Sequence, residues 1–240
     1  APLVRPVART LRVMTDHSHD TRVIEPTAEK YNATLVKRED DNDSLARFWV
    51  RYDGPEQPDF EPGQYMTIGV YADDKLYQRP YSVASAPADT GEQGFEFYVR
   101  LVPILRFTTL LWRLPVGHEM RMIGPKGRFM LEPDDDRTHL FVSTGTGIAP
   151  FASLMRDPDT YERYEQVIMM HTCRDVAELE YGRQLVESIK SDEMLKELMG
   201  EGFAEKRLRL RDLVFMMRKG QVGPSAVDIE GGTQRLGRHR

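Results

Sequence analysis

Between residues 31 and 124 apolar and polar positions trade places over short distances, and turn chemistry interrupts each run. This is the pattern of strands. Runs over 31–36, 45–52, 64–71, 76–83, 95–102 and 120–123 are rich in aromatic and β-branched residues, which suit a pleated, half-buried surface. Asp53-Gly54-Pro55, Glu61-Pro62-Gly63 and Asp73-Asp74 mark turns between them. One helix is predicted in this half, over 106–114, ended by Pro115 and Gly117. Many short strands at this spacing predict a barrel or sandwich.

The pattern changes after Glu132-Pro133-Asp134-Asp135-Asp136. Residues 139–143 form a short apolar run of the kind expected of a buried parallel strand. A helix is predicted from Ala149-Pro150, because proline fits a first helical turn. A second buried strand is predicted over 166–172 and a second helix over 177–190. Strand, helix, strand, helix begins an open α/β sheet. Two domains are therefore expected, 31–135 and 136–240. Residues 1–30 are basic at their start and read as a flexible extension.

Composition narrows the function. The 240-residue chain is 40% hydrophobic and 30% charged, enough for a sizeable core. A net charge of −5 speaks against a dedicated nucleic-acid binder. The single cysteine, Cys173, excludes an internal disulfide and fits a reducing compartment, so a cytoplasmic location is expected. No apolar run approaches the length of a membrane span.

Two motifs carry candidate chemistry. Arg79-Pro80-Tyr81-Ser82 puts a fixed cation, an aromatic ring and a hydroxyl on consecutive residues, a set that suits a flat, anionic cofactor. In an extended segment Arg79 and Tyr81 share one face and Ser82 takes the other. By itself the tetrapeptide also reads as an edge strand holding a proline. Thr144-Gly145-Thr146-Gly147-Ile148-Ala149-Pro150-Phe151 lies between a predicted strand and a predicted helix. Its glycines permit sharp turning and close approach to a ligand, and the helix start offers N–H groups to phosphate. Pro150 stands where a third glycine of the usual dinucleotide fingerprint would be, and an ordinary glycine-rich turn is the alternative.

Taken in order, these motifs resemble the ferredoxin–NADP+ reductase family of flavoproteins. Glu61 to Tyr65, Phe97 to Leu101, Gly124 to Phe129 and His171-Thr172-Cys173-Arg174 extend the resemblance over about 33–190. It implies an antiparallel, Greek-key β-barrel that binds FAD, followed by an α/β parallel-sheet domain that binds NADPH. Arg79 would pair with the FAD pyrophosphate, with Pro80 beside it. Tyr81 would pack on the isoalloxazine, and Ser82 would hydrogen-bond flavin N5; these two are the implied catalytic residues. Tyr98, Val99 and Arg100 would line the ribityl-to-phosphate stretch, with barrel core as the lesser alternative for Tyr98. Phe107 and Thr108 would start the helix facing the pyrophosphate. Thr144 would lie at the flavin–nicotinamide junction, and Gly145, Thr146, Gly147 and Pro150 would hold the nucleotide. Cys173 and Arg174 would flank its phosphate, with Cys173 read as a small buried residue and not a redox thiol. No metal ligands are implied.

The implied reaction is electron transfer between NADPH and a ferredoxin or flavodoxin. Such acidic partners would dock on basic residues drawn from Arg100, Arg106, Arg113, Arg121, Lys126 and Arg128. Two departures stand out. Ile104-Leu105 occupies the place of the family's glycine pair, where φ > 0 is expected. The tail carries no recognisable late strand or terminal aromatic, so the nucleotide domain is expected to be shortened and divergent. Residues 207–213 resemble a basic helix start, from which Arg209 would reach a 2′-phosphate. Two alternatives keep the fold: the reductase component of an oxygenase, and an FAD-binding protein with weak or absent NADPH reductase activity. One cysteine argues against a fused iron–sulfur domain.

Overall fold

The structure, a computed structural model, describes residues 30–91, 93–131, 135–200 and 208–214. The expected extension over 1–29 and the polar tail beyond 214 lie outside the described residues.

Six strands build the first unit: β1 (Ala33–Asn42), β2 (Leu45–Tyr52), β3 (Tyr65–Ala72), β4 (Lys75–Ser82), β5 (Phe95–Arg100) and β6 (Glu119–Lys126). They form one antiparallel sheet in the order β4-β3-β6-β1-β2-β5. The two ends of that order approach each other, because the Ala84 N–H donates to the Glu96 carbonyl at 2.8 Å. The sheet thereby curls toward a barrel. Ala33, Leu35, Ala46, Phe48, Val50, Met66, Ile68, Phe95, Phe97, Val99 and Met122 fill its interior. The β3–β4 hairpin turns on Asp73 and Asp74, both left-handed at φ 51° and 57°. Aspartate tolerates that region better than most residues, and the paired turn suits the strand twist. The turn fixes the register that sets Tyr65 opposite Ser82 and Ile68 opposite Arg79. Helix α1 (Arg106–Leu111) lies against this hairpin.

The second unit is a three-stranded parallel sheet, β7-β8-β9, made of β7 (Asp135–Thr144), β8 (Tyr164–Cys173) and β9 (Leu208–Val214). Helices α2 (Ala149–Arg156), α3 (Pro158–Arg163), α4 (Glu180–Ser191) and α5 (Glu193–Met199) connect and cover it. Ile148, Ala152, Met155, Val167, Met169, Tyr181, Leu185 and Ile189 are its core.

Three elements depart from the sequence reading. Leu208–Val214 is a strand where a helix start was expected over 207–213. Leu208 is buried and pairs in parallel with Val167, and leucines alternate with arginines at the period of a strand. Helix α3 was not expected; Asp157 caps it by accepting from the Asp159 N–H at 2.9 Å, with Pro158 at its first position. Asp192 caps α5 in the same way through the Leu195 N–H at 2.8 Å.

Candidate active site

The site lies where the two units meet. On the barrel side, β4 is an edge strand, so Pro80 deprives no neighbouring strand of a partner. Arg79 and Pro80 are exposed, and Tyr81 and Ser82 are half-buried. Arg79 donates through Nη1 to the Gln78 carbonyl at 2.8 Å and, among the described residues, meets no carboxylate at ion-pair distance. The Tyr81 ring lies 5.7 Å from the Phe107 ring at an interplanar angle of 34°. Burial pushes the Tyr81 phenol up to about 12 against the opposing pull of Arg79, so it stays protonated at neutral pH.

Phe107 and Thr108 are both buried. Phe107 belongs to the barrel core. The Thr108 Oγ1 donates to the Val102 carbonyl at 2.9 Å and accepts from the Val102 N–H at 3.2 Å. Their side chains are committed to packing; what α1 offers a ligand is backbone N–H. Ile104 is 90% exposed. Leu105, the N-cap, is extended at φ −96°, and Ile104 is not among the positive-φ residues. The missing glycine pair therefore causes no backbone strain here.

On the other side, Thr144 ends β7 and Gly145 follows at φ +50°, the left-handed region that favours glycine. A short 3-10 turn over Gly145–Ile148 then leads into α2, where Pro150 is the second residue. Arg100, Thr144, Gly145, Thr146, Thr172, Cys173, Arg174 and Glu178 line one open cleft of about 370 Å³. Five residues that the sequence marked for the nucleotide thus converge with one that it marked for the flavin. Gly147 is exposed beside them and Pro150 half-buried. Cys173 is buried at the cleft wall, its Sγ 3.3 Å from His171 Nε2 and donating to the Glu178 carbonyl at 3.5 Å. Arg100 Nη2 contacts Glu178 Oε1 at 2.7 Å. In this arrangement the guanidinium serves a carboxylate of the second unit, not a phosphate of the first. Arg209 enters as a residue of β9 opposite Ile168; its side chain is outside the description.

Val99 and Tyr98 are buried. The Tyr98 ring stacks on Tyr181 with centroids 4.2 Å apart and planes at 13°. Burial drives the Tyr98 phenol upward. Its side chain belongs to the joint between the units and not to the barrel interior, where the core alternative had put it.

That joint contains groups the sequence reading did not single out. Arg156, the last residue of α2, donates through Nη1 to the Ala84 carbonyl at 2.7 Å and to Glu96 Oε2 at 2.8 Å. The Tyr181 hydroxyl donates to Glu96 Oε1 at 2.9 Å, and the Ser153 hydroxyl to the Ser85 carbonyl at 2.8 Å. Burial raises the Tyr181 phenol well above its ordinary value, and the Glu96 charge adds to it. Burial alone would lower Arg156, but Tyr181, Glu96 and Asp89 hold it above its usual value. Ala84 and Ser85 follow the Arg79–Ser82 motif after Val83 alone, and α2 follows the Gly145 loop directly. The network therefore fixes one motif relative to the other. The one sequence signal was an acid inside the apolar run Phe95-Glu96-Phe97-Tyr98-Val99.

Residues 32–131 match the oxidoreductase FAD-binding domain. Over 156 residues the chain is 43% identical to a flavodoxin/ferredoxin–NADP reductase of Rhodobacter capsulatus, covering 63% of this chain and 56% of that protein. It is 42% identical over 125 residues to a ferredoxin–NADP reductase of Pseudomonas aeruginosa, covering 51% of this chain and 47% of that protein. The chain thus spans about half the length of these relatives. The fold is shared with a ferredoxin NADP+ reductase from Neisseria gonorrhoeae with bound FAD and NADP, at a TM-score of 0.63 and 20% identity, covering 83% of this chain and 72% of that one. In its FAD-binding-domain match, its parallel-sheet second unit and the order of its motifs, the chain is similar to ferredoxin–NADP+ reductases.

Proposed function

We propose that this protein transfers electrons between NADPH and a ferredoxin or flavodoxin by way of bound FAD. The observation that carries this reading is the joint itself. Hydrogen bonds from Ser153 and Arg156 to the Ser85 and Ala84 carbonyls hold the Gly145 loop against the strand that ends in Tyr81-Ser82. A two-site electron carrier needs such fixed proximity.

The residues fit the groups. Exposed Arg79, with no described carboxylate to satisfy it, suits the FAD pyrophosphate as a fixed fork. The half-buried Tyr81 ring, braced by Phe107, suits one face of the isoalloxazine. The Ser82 hydroxyl would supply a hydrogen bond at the flavin edge, and the backbone of 98–100 and of α1 would line the remainder. The cleft of Thr144, Gly145, Thr146 and Arg174 suits the nucleotide, with Arg174 exposed for phosphate. Bound FAD supplies the conversion between hydride transfer and single-electron transfer; the protein binds, orients and excludes water.

For the acidic partner, the structure shortens the list of basic candidates. Arg121 is buried, Arg100 is engaged by Glu178, and Arg106 pairs with Asp73 at 3.0 Å. Arg113, Lys126 and Arg128 are exposed and are the docking cations of this reading. The test is anaerobic reduction of a purified ferredoxin or flavodoxin by NADPH. Turnover that weakens with added salt, and more so in Lys126→Glu/Arg128→Glu, supports it; turnover indifferent to both contradicts the docking assignment. Ser82→Ala should slow reduction by NADPH more than it weakens FAD retention, and equal loss of both would remove Ser82 from its role.

A further inference from the structure

We propose that the Arg100–Glu178 pair sets the cleft's preference for a 2′-phosphorylated over an unphosphorylated adenosine. Arg100 does so by cancelling a carboxylate that stands in the path of the phosphate. The inference rests on the reading that this cleft takes the pyridine nucleotide.

The cleft lining holds two guanidiniums, Arg100 and Arg174, and one carboxylate, Glu178. An acid is a poor choice for a wall that receives a polyanion, unless something neutralises it or uses it. Glu178 cannot turn away. Its Oε1 is held by Arg100 Nη2 at 2.7 Å and its Oε2 accepts the Arg174 N–H at 3.3 Å. Its own carbonyl accepts from Cys173 Sγ at 3.5 Å, and its side chain is 7% exposed. In dinucleotide sites a fixed carboxylate of this kind accepts from a ribose 2′-hydroxyl, and like charge makes it repel a 2′-phosphate. Left alone, Glu178 would therefore favour the unphosphorylated ribose and oppose Arg174.

Arg100 reverses that balance. It comes from β5 of the barrel and reaches across to the 3-10 turn over Val176–Leu179 that precedes α4. With Glu178 paired, the cleft wall keeps a net positive charge, and the exposed Arg174 meets the phosphate without a competing anion. The selectivity of the nucleotide unit thus depends on a residue of the flavin unit. Gly145 sits beside the pair; a Cβ built there would lie 3.9 Å from Arg100 Nη2. The pair and the loop therefore share one wall.

The test uses the flavin-loaded protein and two probes that lack nicotinamide, adenosine 2′,5′-bisphosphate and adenosine 5′-monophosphate, titrated calorimetrically. The quantity read is the ratio of their affinities. Arg100→Met should cut the preference for the bisphosphate roughly tenfold, the scale of one unscreened like charge at a partly exposed site. Arg100→Met/Glu178→Gln should restore most of it. Glu178→Gln alone, which keeps the shape and releases Arg100, should strengthen bisphosphate binding and leave the monophosphate little changed. The inference is overturned if Arg100→Met and the double variant show the same ratio, since Arg100 then acts without Glu178. It is also overturned if Glu178→Gln weakens bisphosphate binding. Failure of the wild-type protein to bind either probe would instead remove the nucleotide reading on which the inference stands.

Discussion

Replacing Glu96 with alanine should loosen the joint between the two units more than any surface change. The Glu96 carboxylate is 5% exposed and satisfies two groups at once, the Arg156 guanidinium at 2.8 Å and the Tyr181 hydroxyl at 2.9 Å. Without it, Arg156 keeps the Ala84 carbonyl but carries its charge in a pocket where its side chain is only 19% exposed. Removing one partner of a buried ion pair costs about 3–5 kcal/mol, because the other charge stays desolvated. In a chain of this size that corresponds to a fall in Tm of roughly 6–20 °C, at about 2–4 °C per kcal/mol. Asp159→Ala is the contrast. It breaks the Asp159–Arg163 pair at 3.3 Å between half-exposed side chains, for which about 0–1 kcal/mol is expected. Removing both buried charges in Glu96→Ala/Arg156→Met should recover part of the loss, since no ion is then stranded. Thermal unfolding of the three variants beside the parent decides the matter. If Glu96→Ala melts no lower than Asp159→Ala, the buried network contributes nothing beyond a surface pair and the reasoning fails.

Three further outcomes are expected. Gly182→Ala raises helix propensity in α4 by about 1 kcal/mol, yet its Cβ would meet His171 Nδ1 at 2.8 Å in a buried contact, so urea denaturation should show net destabilisation of roughly 1–2 kcal/mol; a net gain would mean that the contact yields. Gly145→Ala should cost about 1 kcal/mol and weaken adenosine-nucleotide binding, because alanine pays for φ +50° although space is available; an unchanged melting profile would contradict the left-handed assignment. Burial raises the Asp157 carboxyl above the ordinary aspartate range, so its contribution to stability is present in acid and lost as pH rises through the folded value. Asn caps a helix as well as Asp, so Asp157→Asn should gain stability relative to the parent on going from pH 4 to pH 7, and a gap that stays constant or shrinks would refute the sign.

Much of the barrel was legible because its signals are local. Strand alternation located Leu45–Tyr52 to the residue, and Asp73-Asp74 announced a hairpin whose register then placed Tyr81 and Ser82. The Gly145 loop was legible for the same reason: strand, glycine and proline occur within a few residues of each other. The joint was not. Arg156 lies 60 residues from Glu96, and Tyr181 lies 85 away, so no window along the chain contains the pair. Glu178 looked like one more acid on an amphipathic stretch until β5 brought Arg100 to it. Strand β9 was not legible because its alternating arginines read equally as a basic helix start until Val167 paired with Leu208. Tyr98 shows the limit of a resemblance: it sits in the expected strand, but Tyr181 takes up its ring.

If the joint holds FAD where NADPH can reduce it, as proposed, the flavin itself reports the contact. Anaerobic titration of the purified yellow protein with NADPH, and separately with NADH, reads that directly in the visible flavin absorbance. Stoichiometric bleaching by NADPH and little by NADH is expected. Bound flavin that NADPH leaves oxidised would refute the proposed function and leave an FAD-binding barrel without a working nucleotide site.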